Sequence, residues 1–108
     1  MSRAYRNIDD LRFRSALWLE LVAAGSRDDC CRRPAAEVFH AWLDLVREIV
    51  EEGVRAGEFT LTAGVEDTAL SIQAALDGLE VALNVGAIDE QRVDDLLTHS
   101  VPSLLGTA

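Results

Sequence analysis

Lysine is absent from this sequence of 108 residues, and its ten arginines face nineteen carboxylates, for a formal charge of −9. Such an acidic excess opposes phosphate backbones and anionic lipid surfaces, so neither direct nucleic-acid binding nor a membrane partner is expected. Cysteine occurs only as the neighbours Cys30 and Cys31. A bridge between them would close a small strained ring and staple nothing, so reduced thiols and a cytoplasmic location are expected. No long apolar run exists. The longest stretch without a charged side chain, Leu96 to Ala108, is too short for a bilayer span and holds Pro102 and Gly106. A secretory leader is opposed by Asp9, Asp10 and Glu20, which interrupt the Arg-rich start and the apolar stretch after it.

With apolar residues at 49% and charged ones at 27%, the chain can bury one core without metal or disulfide, and residues 1–108 are expected to form a single domain. Charge is uneven along it. Residues 1–33 hold seven arginines and five acids, whereas residues 34–108 hold three and fourteen.

Apolar residues recur at helical spacing in four segments, near 9–25, 34–56, 65–85 and 89–105. Asp9 or Asp10 is expected to cap the first and Gly25 to stop it, with Ser26 to Arg33 as connector and Pro34 opening the second. The second repeats Val38, Trp42, Leu45 and Ile49 and ends at Gly57, after which Phe59 can fold back onto the last turn. The third carries the seam Ala69, Ile72, Leu76, Leu79 and Leu83 beside a line of small residues, Ser71, Ala75, Gly78 and Ala82. Asn84 and Gly86 close it. Asp89 opens the fourth, whose apolar face is Val93, Leu96, Leu97, Val101, Leu104 and Leu105, and Pro102 is expected to kink it or end it early. No segment alternates as a strand does. The expected class is all-α, four main antiparallel helices.

Glu51-Glu-Gly-Val-Arg-Ala-Gly-Glu-Phe59 followed by Ala69-Leu-Ser-Ile-Gln-Ala-Ala-Leu-Asp-Gly-Leu79 resembles the C-terminal regulatory domain of TetR-family transcriptional repressors. That family often shows a Gly-x-x-x-Gly-x-Phe helix end, here Gly53, Gly57 and Phe59, then an Ala-rich helix bearing Leu-Asp-Gly-Leu, here Leu76 to Leu79. The segment Trp18-Leu-Glu-Leu-Val-Ala-Ala24 also looks like the corresponding family helix. The likeness covers roughly residues 9–105. No helix-turn-helix head is found in the sequence. A fragment of a longer regulator and a naturally headless relative both fit, and specific DNA binding by this chain alone is not expected.

The resemblance implies a homodimer through the last two helices, with Ala75, Gly78 and Ala82 at the crossing and Val93, Leu97, Val101 and Leu104 around it. Packing of the small-residue line onto the chain's own fourth helix is the alternative. It also implies an effector site among the first three helices for a small, largely apolar molecule. Trp18, Phe39 and Trp42 are candidates to line it, with Gln73, and more weakly His40, to orient the ligand. Aromatic residues at helical spacing also simply fill cores, and a dimerisation module without ligand is the competing reading. No cofactor is implied. A metal site is not expected, since Glu37-x-x-His40 with Asp44 has no second Glu-x-x-His to complete a di-metal bundle. No nucleophilic triad can be assembled from two histidines, so an enzyme is not expected. Cys30 and Cys31 lie near Arg27, Arg32 and Arg33, the setting a redox-sensing thiol needs, but inert thiols are the preferred reading.

Overall fold

The computed structural model describes the backbone of residues 2–106 and the side chains of residues 14–106. Within that range the chain forms four helices and no strand: α1 (Ser2–Arg27), α2 (Asp29–Arg55), α3 (Val65–Asn84) and α4 (Glu90–Leu105). The class is all-α. Contacts cluster in two compact units, Met1–Val38 and Phe39–Ala108, so α2 contributes to both.

In the first unit the sequence reading needs three corrections. Asp9 and Asp10 do not cap α1, which already begins at Ser2. Residues 2–24 contain neither Gly nor Pro, so a started helix extends through them at little cost. Gly25 does not end α1 either. It is buried inside the helix, and a Cβ there would lie 3.2 Å from the Ala35 Cβ and 3.3 Å from the Cys31 carbonyl oxygen. Its smallness serves a close approach to the first turns of α2, which no local signal announces. Finally, Ser26 to Arg33 is not a connector. Only Asp28 separates α1 from α2; its carboxylate accepts from the Cys30 N–H at 2.9 Å and its carbonyl from the Cys31 N–H at 3.1 Å. Asp28 thus caps α2, and Pro34 lies inside the helix instead of opening it.

The second unit follows its local chemistry closely. At the end of α2 the Glu58 N–H donates to the Gly53 carbonyl at 2.8 Å and the Gly57 N–H to the Val54 carbonyl at 3.1 Å. This double closure requires a left-handed residue, and Gly57 supplies it at φ 75°. The α3 end repeats the arrangement: Ala87 donates to Ala82 at 2.9 Å and Gly86, also at φ 75°, to Leu83 at 3.1 Å. Asp89 then caps α4, its carboxylate accepting from the Arg92 N–H at 2.8 Å. Pro102 does not end α4, which continues to Leu105. The Thr60 N–H donates to the Leu105 carbonyl at 3.2 Å, fastening the α2–α3 connector to the end of α4.

The core of this unit is small. Val50 and Gly53 on α2 and Thr68, Ala69, Ile72 and Gln73 on α3 are buried. Outside it many large apolar side chains stay exposed, among them Trp42, Leu45 and Ile49 on α2 and Leu70, Val81 and Val85 on α3.

Candidate functional site

Within the second unit the C-terminal half of α2, α3, α4 and the Phe59 ring border an open cavity of about 480 Å³. Val46, Ile49 and Val50 line it from α2, Ile72 and Leu76 from α3, and Leu97, Thr98, Val101 and Leu105 from α4. Phe59 reaches this wall because its ring folds back over Gly53, where a Cβ would overlap it. The wall is apolar apart from Thr98, whose hydroxyl donates to the Asp94 carbonyl at 2.8 Å. Ile49, 65% exposed, and Leu76, 36% exposed, mark where the cavity opens to solvent.

The four residues singled out as ligand contacts are placed elsewhere. Trp18 lies half-buried on α1 in the first unit. Phe39 stacks edge-on with His40, ring centroids 6.0 Å apart. Trp42 is 57% exposed. Gln73 is buried, and its amide donates to the Asp77 carboxylate at 3.4 Å. None of the four lines this cavity. Of the residues that do, Ile72 and Leu76 on α3 and Leu97, Val101 and Leu105 on α4 belong to the seams set by periodicity, whereas on α2 Val46 and Val50 lie beside the seam and only Ile49 belongs to it. Of the residues proposed for a dimer contact, Leu97 and Val101 line the cavity, Val93, Leu104, Ala75 and Ala82 are half-buried, and Gly78 is exposed with open space where a Cβ would stand.

One ion pair crosses from α2 to α3 beside the cavity. Arg47 on α2 reaches Asp44 at 3.2 Å, Glu51 at 3.8 Å and, across to α3, Glu66 at 3.1 Å. The Glu66 hydrogen bond and the surrounding carboxylates raise its pKa further above the usual arginine value. Glu37 is held by Arg33 at 3.2 Å, and among the described residues no three His, Cys, Asp or Glu side chains converge as metal ligands.

The Asp77 carboxyl is displaced from its ordinary range. Burial, then repulsion from Glu80, pushes its pKa above 3.8, against the hydrogen bond from Gln73. The folded state therefore binds this proton more tightly than the unfolded chain, and the group's cost to stability appears as pH rises through the raised pKa. Asp77→Asn should stabilise the domain at pH 7 by less than about 1 kcal/mol, because solvent screens so accessible a group. The gain should vanish in denaturant titrations well below pH 4, the ordinary aspartate range. An equal gain at both pH values would sink this account.

The family described as BetI-type transcriptional repressor, C-terminal, matches residues 6–106. The chain belongs to that family. No curated protein and no solved structure matches it. In this BetI-type domain the Gly-x-x-x-Gly-x-Phe pattern has a concrete physical basis: Gly57 supplies the left-handed turn, and Gly53 makes room for the Phe59 ring that becomes a cavity wall. Leu-Asp-Gly-Leu likewise puts Leu76 on the cavity and the half-buried Asp77 beside it, and leaves Gly78 on the outside of α3. Among the described residues no helix is long and apolar enough to cross a membrane.

Proposed function

We propose that this BetI-type domain is the effector-sensing and dimerising part of a repressor, and that the cavity between α2, α3 and α4 takes a small, largely apolar molecule. The observation that carries the reading is the cavity itself. Its volume of about 480 Å³ falls within the range of ligand sites, and its wall is almost wholly aliphatic. A ligand there would touch α2, α3 and α4 together, so its binding would bias how those helices pack.

Dimerisation draws support from the outer face of α3. Leu70, Ala74, Gly78, Val81 and Val85 fall on one side of the helix and are all exposed, Val85 at 73%. No charged residue interrupts that line across four turns. So continuous an apolar face is unusual for a helix that stays in water.

The competing reading, a dimerisation module without ligand, is separated by one experiment. Thermal shift against a library of small apolar compounds should find stabilising ligands for the native chain and none for Leu97→Trp, whose indole would fill the space beside Ile72 and Leu76. A native chain that no compound stabilises would remove the effector reading and leave the module.

A further inference from the structure

Cys30 and Cys31, at the start of α2, have no part in the effector reading, and both are free thiols. They stand in the first turn of a helix that Asp28 caps, joined by a trans peptide that sets their Cα atoms about 3.8 Å apart. A disulfide needs about 4.4 to 6.8 Å, so the pair cannot oxidise to an internal bridge while the helix keeps its form. Both sulfurs stay available to a ligand.

The surroundings select among ligands. Arg32 is engaged by Asp29 at 3.1 Å and Arg33 by Glu37 at 3.2 Å, so these guanidinium groups are committed to carboxylates. Among the described residues no third His, Cys, Asp or Glu converges with the two sulfurs, which leaves them short of the four donors that zinc takes. A trivalent arsenic bearing one carbon substituent has two exchangeable positions instead. Two soft sulfur donors match that number. The two also differ in access, since Cys30 is exposed and Cys31 is half-buried where α2 passes Gly25 of α1. The first bond forms at the open sulfur, and the second closes at one that competing thiols reach poorly.

We propose that Cys30 and Cys31 form a two-thiol site for monosubstituted trivalent arsenicals. In the reaction both S–H bonds break, two S–As bonds form, and the oxygen of the arsenical leaves with the two protons as water. Arsenic stays trivalent and neither sulfur is oxidised, so no other reactant is needed. The site lies wholly in the first unit and stands whether or not the cavity takes an effector.

Phenylarsine oxide added to the full, reduced chain tests this. One equivalent should remove both thiols from titration, and mass spectrometry should show one phenylarsenic per chain in place of two hydrogens. Excess monothiol should leave the adduct intact, whereas a small dithiol should strip it. Cys30→Ser and Cys31→Ser should each hold the probe about 100-fold more weakly, because the second bond no longer forms within the molecule. Cys30 is exposed, so its serine variant leaves the fold untouched and carries the comparison alone if the other unfolds. In the chain free of arsenic, an alkylating agent should label Cys30 faster than Cys31. Equal hold by the native chain and Cys30→Ser overturns the chelate, and so does one probe shared between two chains. Equal labelling rates overturn the order of capture and closure. An internal disulfide formed under mild oxidant overturns the geometric premise.

Discussion

Gly53→Ala should destabilise the domain by about 1 to 3 kcal/mol, the usual cost of forcing extra volume into a packed site. In a domain near this size that is about 4 to 8 °C of melting temperature for each kcal/mol. The added methyl group falls on the Phe59 ring, which must leave its seat over the last turn of α2. Alanine is the better helix former by about 1 kcal/mol, so a net loss measures the clash after that gain is overcome. The displaced ring also belongs to the cavity wall, so ligands found for the native chain should bind the variant more weakly. Gly64→Ala is the control, since nothing lies within 4 Å of a Cβ there, and it should stay within about 0.5 kcal/mol of the native chain. Denaturant titrations in which Gly53→Ala matches or exceeds the native stability would refute the account of Gly-x-x-x-Gly-x-Phe given above.

Gly78→Leu should convert a dimer into a folded monomer. In the single chain a Cβ at Gly78 meets nothing within 4 Å, and leucine favours helix over glycine by roughly 0.8 kcal/mol, so the fold itself should not suffer. At a two-fold crossing the same side chain is inserted twice, each copy costing about 1 to 3 kcal/mol of overpacking. An obligate interface of the proposed kind should bury on the order of 2,000 Å² in total. Sedimentation of the native chain should therefore give a dimer. Gly78→Leu should sediment as a monomer that keeps a helical circular dichroism spectrum, with a melting temperature lowered by the loss of the interface. A native chain that is monomeric at micromolar concentration, or a Gly78→Leu dimer, would place the contact elsewhere or remove it.

What the sequence determined by itself is the chemistry that acts within a few residues of where it is written. Gly57 and Gly86 close their helices, Asp89 caps α4 and Phe59 folds back onto α2, because a left-handed turn and a carboxylate cap need only neighbouring backbone. The family likeness was legible for the same reason, since its marks are those local closures and their order. Only the tertiary structure decided which of two adjacent apolar lines on α2 faces inward. Trp42, Leu45 and Ile49 repeat at helical spacing as well as Val46, Val50 and Gly53 do, but Val50 and Gly53 are the buried ones, while Trp42 and Leu45 stay exposed and Ile49 stands at the cavity's mouth. Side-chain type sets how wide the apolar arc is, and the crossing of the helices sets which part of it is covered. The same dependence explains Gly25, small because α2 passes close to it, and Leu97 and Val101, which face a cavity that exists only because three helices meet without filling the space between them.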